Sequence, residues 1–154
     1  TIAENIKFGN DNATYEEIKH SAEVAQADEF ISAMDVGYEH EIAQGGTNVS
    51  GGQKQRLSIA RALVRKPEIF VFDDSFSALD FKTDAKLRAA LKKEIKESTM
   101  IIVAQRVGTV MDADRIIVLD EGRVVGIGSH KELLHTCDIY REIVSSQLSE
   151  EEIA

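Results

Sequence analysis

The sequence is poor in cysteine, in long apolar runs and in positive charge, and each shortage excludes a class of protein. Its single cysteine, Cys137, has no partner for an internal disulfide. That argues against a disulfide-stapled scaffold and fits a reducing compartment. Cys137 itself reads as a small, half-buried residue near a helix. No apolar stretch approaches the roughly 18 residues of a membrane span. The longest, such as the run from Arg115 to Leu119, are strand-sized. Lys and Arg number 18 against 27 Asp and Glu, a formal charge of −9. Such a surface is a poor match for nucleic acid, which attracts basic patches, so no nucleic-acid partner is expected. No signal peptide is visible in these residues, and they hold no internal repeat or low-complexity tract. The sequence opens at Thr1 rather than Met and begins in mid-pattern, so it reads as a fragment of something longer.

What is present is enough apolar material for a core. Hydrophobic residues make up 43% of 154 positions, which suits one packed domain or part of one and excludes a disordered chain. Thr14 to Glu17 spells a capping box, predicting a helix that continues to about Met34 with a possible break near Asp28. Residues 35–52 are rich in Gly and polar residues and read as loop. Leu57, Ala60, Leu63 and Val64 recur at helical spacing between Gln53 and about Arg65, and Lys66-Pro67 stops that helix. The continuous apolar run Ile69 to Phe72 predicts a fully buried parallel strand. A helix follows over about Asp80 to Lys96, with Leu87, Leu91 and Ile95 on one face. Residues 99–104 predict a second buried strand. Residues 115–128 predict a hairpin turning at Glu121-Gly122. Ser129 to Glu132 is a second capping box, opening the C-terminal helices, and the acidic end, Ser149 to Ala154, reads as a frayed tail. Strands separated by 15-residue helices imply an α/β fold with a parallel sheet.

Three stretches carry candidate chemistry. Ser50, Gly51 and Gly52 sit where a helix begins, a place whose unpaired N–H groups and positive dipole end attract phosphate. Glycine lets the backbone approach an anion closely, Ser50 adds a hydroxyl and Gln53 lies in the first turn. Asp73 ends the first strand at its carboxyl end, where ligands of open α/β sheets sit, and suits Mg²⁺ held through water. Asp74 beside it is placed to polarise an attacking water. The second strand ends in Ala104 and Gln105, where a polar side chain can contact a terminal phosphate or that water. Taken singly, these stretches read equally as an N-cap serine, a capping turn and a solvated glutamine.

Order and spacing together identify more. The series of helix, Lys-Pro break, strand ending in two acids, Ser-Ala-Leu-Asp, helix, and strand ending in a polar residue resembles the ATP-binding domain of ABC transporters. VSGGQKQRLSIARAL (Val49 to Leu63) resembles the family signature, IFVFDD (Ile69 to Asp74) its Walker B strand, and SALD (Ser77, Ala78, Leu79, Asp80) its D-loop. GRVVGIGSHKELL is similar to the family's C-terminal hairpin and helix. TIAENIKFG resembles the segment after the Q-loop of exporters, and IAQGGTN lies where exporters have their X-loop, with Gln44 in place of the usual Glu.

The resemblance implies an incomplete P-loop NTPase fold. It has a helical subdomain with the signature helix over about 10–65, core strands with Walker B, D-loop and switch over about 66–128, and C-terminal helices over 129–154. It implies ATP and Mg²⁺ as cofactors, with Ser50, Gly51, Gly52 and Gln53 contacting a partner's nucleotide, Asp73 holding the metal, and Asp74 and Gln105 as catalytic residues. It also implies a transmembrane domain upstream in the same polypeptide and a location on the cytoplasmic side of the cell membrane. The 154 residues hold no G-x-x-x-x-G-K-[ST] loop. The family places that loop, the adenine-stacking aromatic and the Q-loop glutamine before Thr1. The piece alone is therefore expected to bind ATP weakly, not to hydrolyse it, and to self-associate through sheet edges.

Two departures concern the chemistry. The family usually has Glu at position 74 and His at position 105. Asp retracts the carboxylate by roughly 1–1.5 Å, and a displacement of about 1 Å can cost on the order of 10²-fold in rate. Gln does not titrate near neutral pH. An intact signature beside an altered Walker B and switch implies a heterodimer, in which the signature completes the partner's site and the site on Asp74 and Gln105 is slow. A homodimeric exporter, a soluble ABC ATPase outside transport and a pure docking module are the alternatives.

Overall fold

The computed structural model describes residues 1–148, so the acidic tail from Ser149 lies outside the described residues. The chain divides into two compact units, Thr1–Ile101 and Ile102–Ala154.

The first unit opens with α1 (Ile2–Lys7), α2 (Tyr15–Val24), α3 (Asp28–Ser32) and the long α4 (Gly51–Val64). Thr14 accepts the Glu17 N–H while the Glu17 carboxylate accepts the Thr14 N–H, so the expected capping box starts α2. The break before α3 falls at Gln26, whose φ of 57° is left-handed. Arg56 holds that turn by donating Nη1 to the Gln26 carbonyl at 2.7 Å. A further capping box, Thr1 with Glu4, opens α1, a helix the sequence pattern did not announce. The stretch read as loop contains two short 3₁₀ turns, Gly37–Glu39 and Gln44–Gly46.

α4 packs on α1 and α2, burying Leu57, Ala60, Leu63 and Val64 as its periodicity predicts. Its C-terminus stops at the Lys66-Pro67 pair, with Lys66 at φ 49°. Then come β1 (Ile69–Asp73), α5 (Phe81–Glu94) and β2 (Thr99–Val103), whose last two residues belong to the second unit. Leu87 and Leu91 of α5 are fully buried, each contributing about 1.5–3 kcal/mol of apolar transfer. The Thr99 N–H donates to the Glu68 carbonyl at 2.8 Å, and the Ser98 hydroxyl to the Pro67 carbonyl at 2.7 Å. The two strand starts therefore lie side by side, the arrangement of strands running in one direction after a helical crossover.

The expectation of fully buried strands is corrected. β1 buries Phe70 and Phe72 but leaves Ile69 59% and Val71 64% exposed. Met100, Ile101 and Val103 of β2 are exposed as well. β1 and β2 make a two-stranded sheet among the described residues. Only one face of β1 is covered, so the apolar run behaves as an alternating strand.

The second unit contains α6 (Val107–Val110), β3 (Ile116–Asp120), β4 (Arg123–Gly128), α7 (His130–Thr136) and α8 (Asp138–Gln147). β3 and β4 pair antiparallel from Ile116 opposite Gly128 to Asp120 opposite Arg123. Glu121 and Gly122 turn the hairpin with φ of 45° and 75°, the paired left-handed residues of a two-residue turn. Ile116 and Val118 share a core with Val107, Leu133, Tyr140 and Val144. Cys137 lies inside this core between α7 and α8 and is buried rather than half-buried. The Ser129–Glu132 capping box starts α7 as expected.

Candidate functional site

The start of α4 is built by a reciprocal cap. Ser50 leaves the helix at φ −70°, ψ 164°, and its Oγ accepts the Gln53 N–H at 3.2 Å. The Gln53 side chain turns back so that its Oε1 accepts the Ser50 N–H at 2.8 Å. No acidic residue occupies the first turn, so nothing there neutralises the positive end of the helix. Lys54 reaches back to donate Nζ to the Gly45 carbonyl at 3.0 Å, closing the preceding glycine loop against the helix.

The end of β1 is a strained turn over an aromatic floor. Phe70 and Phe72 stack with centroids 5.9 Å apart, and Phe76 lies 5.5 Å from Phe72. Phe76 and Leu79 are buried, fixing the turn from below, while Asp73 and Asp74 are exposed above it. Asp74 has φ 48°, a left-handed conformation that costs a non-glycine residue about 1–3 kcal/mol and persists where its surroundings impose it. The Ser77 hydroxyl donates to the Asp74 carbonyl at 3.0 Å, and the Ser75 hydroxyl to that of Asp73 at 3.3 Å. Asp80 ends the loop as N-cap of α5. Its carboxylate accepts the Thr83 N–H at 3.0 Å and the Thr83 hydroxyl at 2.7 Å, which hold it below the usual carboxylate range.

These two pieces, distant in sequence, are brought together. A Cβ on Gly52 would lie 3.0 Å from the Ala78 carbonyl, so a side chain there would press the loop away by a few tenths of an ångström. Gln55, one turn into α4, reaches across to Asp74, Ser77 and Ala78. Arg56 stacks on Phe30 with Cζ 4.8 Å from the ring centroid and donates Nε to the Gly52 carbonyl at 3.3 Å. Burial pushes its pKa down, opposed by Asp80 and Glu29. Gln55 and Arg56 lie within the signature-like stretch, yet the sequence gives neither a role: a polar residue one turn into a helix carries no pattern that says what it reaches.

Gln105 belongs to the second unit. It is exposed and follows β2, and its carbonyl accepts Gln147 Nε2 at 2.8 Å while Gln147 Oε1 accepts the Val107 N–H at 2.9 Å. Ser50 to Gln53, Asp73, Asp74 and Ser77 to Asp80 are all in the first unit.

Among the described residues no three His, Cys, Asp or Glu side chains are grouped to hold a metal by themselves. The exposed carboxylates at the end of β1 fit Mg²⁺, which takes one or two protein carboxylates and completes its shell with water and phosphate oxygens. The N–H groups, hydroxyl and unneutralised dipole at the start of α4 fit a phosphate tail. No described helix is long and apolar enough to cross a membrane.

Comparison with known proteins bears on these features. A family model described as ABC transporter matches residues 1–77. An uncharacterized ABC transporter ATP-binding protein of Mycobacterium tuberculosis is 45% identical over 150 residues, 96% of this chain and 25% of that protein. The ABC transporter ATP-binding protein YfiB of Bacillus subtilis is 46% identical, over 98% of this chain and 26% of its own length. The solved structure of a bacterial Atm1-family ABC exporter with ATP bound superposes with a TM-score of 0.92 at 38% identity, over 97% of this chain and 26% of that one. The chain thus spans about a quarter of the length of the relatives it matches.

Proposed function

The chain belongs to the ABC transporter family, and from that premise we propose that it is part of the nucleotide-binding domain of an ABC exporter. It works by ATP-driven closure of two such domains head to tail, coupled to a transmembrane domain in the same polypeptide on the cytoplasmic side of the membrane. One observation carries the reading: a complete signature cap, Ser50 with Gln53, is joined through Gln55 to a β1 exit turn that bears Asp73 and Asp74.

Each residue has a role in that closure. Ser50 and the N–H groups of Gly51 and Gly52 contact the terminal phosphate of a nucleotide held by the partner domain. Gln53 holds Ser50 in place. Asp73 receives Mg²⁺, which when bound draws charge from the phosphates. Asp74 orients the attacking water, and Gln105 contacts the terminal phosphate as a neutral hydrogen-bond donor. Asp80, ionised and committed to the start of α5, keeps the D-loop at a fixed entry angle.

The pairing is heterodimeric. An intact signature completes the partner's site, while Asp74 and Gln105 make this chain's own site slow. The 154 residues without a Walker A loop bind ATP weakly and do not hydrolyse it. Millimolar ATP should leave the thermal midpoint of the isolated chain unchanged, and a rise of several degrees would contradict this. The test of the pairing is to purify the full-length protein from its native membrane and identify every stoichiometric polypeptide by mass spectrometry. A second ABC subunit at one-to-one supports the asymmetric pair. A single polypeptide supports the second reading, a homodimer whose hydrolysis rests on Asp74 and Gln105 alone.

A further inference from the structure

Gln55 is half-buried on α4, and its amide makes three contacts with a segment about twenty residues away. Nε2 donates to the Asp74 carbonyl at 3.3 Å and to Ser77 Oγ at 3.2 Å, and Oε1 accepts the Ala78 N–H at 3.1 Å. The chemistry of the partners fixes which way the amide points. A backbone carbonyl requires a donor and a backbone N–H requires an acceptor, so the two ends of the amide cannot be exchanged. The contacts fall on Asp74, whose backbone is left-handed at φ 48°, and on the loop that lies tight against Gly52.

We propose that Gln55 is a positioning residue that sets the reach of Asp74 by tying the Walker B exit turn and the D-loop to the helix carrying the signature. This rests on the functional reading above, in which the signature cap and Asp74 of one chain serve different nucleotides. A shift of α4 on engaging the partner's nucleotide is then passed to Asp74 through the Gln55 amide. The glutamine amide supplies both the donor and the acceptor these contacts need. Alanine leaves the Ala78 N–H and the Asp74 carbonyl without these contacts. Glutamate has the same length and still accepts from Ala78, but it offers no donor and sets an acceptor against the Asp74 carbonyl.

The test uses the full-length protein with its partner subunit, reconstituted in lipid, as wild type, Gln55→Ala and Gln55→Glu. With the partner's site inactivated, both variants should lower kcat at this chain's own site about tenfold with KM within about twofold, the signature of lost transition-state positioning rather than lost binding. Hydrogen exchange of the Ala78 amide should speed up about tenfold in Gln55→Ala and stay protected in Gln55→Glu. That split, an amide still held but a slow enzyme, is one that a space-filling role does not produce. Wild-type kcat in Gln55→Glu, a change in KM alone, or unchanged Ala78 protection in Gln55→Ala would each overturn the proposal. If Gln55→Ala does not fold, Gln55→Glu decides it. A wild-type protein without ATPase activity would defeat the functional reading instead, and the exchange measurement would then decide Gln55 alone.

Discussion

The start of α4 and the end of β1 meet at Gln55, yet they are built in opposite ways. At the start of α4 the capping is local. Ser50 and Gln53 satisfy each other within four residues, in relaxed geometry, and nothing distant is needed to hold them. At the end of β1 the conformation is imposed from outside. Asp74 sits at a left-handed φ, with aromatic rings beneath it and an amide from another helix at its carbonyl. A self-sufficient cap keeps its shape whatever its surroundings do, which suits the phosphate contact proposed for it. An imposed turn moves when its supports move, which suits the water-orienting role proposed for Asp74.

The largest predicted effect sharpens this contrast at the imposed end. Asp74→Glu with Gln105→His in the full-length protein restores the longer carboxylate and a titratable switch. Hydrolysis at this chain's own site should rise at least several-fold and up to the order of 10²-fold, read by single-turnover kinetics with the partner's site inactivated. An unchanged rate would mean that the site is slow for reasons other than these two residues.

A second variant attacks the junction itself. Gly52→Val places methyl groups against the Ala78 carbonyl, already 3.0 Å from where a Cβ would lie. Overpacking of this kind costs about 1–3 kcal/mol, to be measured by denaturant unfolding of the chain. A loss below about 0.5 kcal/mol would show that helix and loop are less tightly apposed than described.

At the local end the effect should be smaller. Ser50→Ala removes the acceptor of the Gln53 N–H and should cost about 1 kcal/mol, with Ser50→Gly costing only a few tenths. Equal losses for the two would contradict the cap.

The smallest effect concerns acid. The Glu17 carboxyl is lowered to about 2 by its hydrogen bond with Lys66 at 2.7 Å, reinforced by the Thr14 N–H. Its folded pKa lies below the unfolded value of about 4.3. The stabilisation is therefore complete above about pH 5 and is lost as pH falls toward 2. The contact is exposed, so the contribution is small and screened by salt. The thermal midpoint should fall across that window, and fall less in Lys66→Met.

Local features were the legible ones. Thr14 with Glu17, Ser129 with Glu132, and the Glu121-Gly122 turn were readable because each is fixed by neighbours within four residues. The α4 stripe was readable from its period. The exposure of Ile69 and Val71 was not, because an apolar run states what a strand can bury and not what covers it. Gln55 was invisible for the complementary reason. Its partners lie about twenty positions away, and an amide in a helix is as common on a solvated face as in a junction. The left-handed Asp74 was equally hidden, since the sequence shows an ordinary aspartate and only the fold shows what holds it.

In the proposed pair the two nucleotide sites differ in rate, with the slow one on Asp74 and Gln105. The most direct measurement is a rapid-quench single turnover of the full-length protein with labelled ATP occluded at both sites. Two phases of equal amplitude are expected, the slower by roughly 10²-fold. A single phase that consumes both nucleotides would contradict that difference.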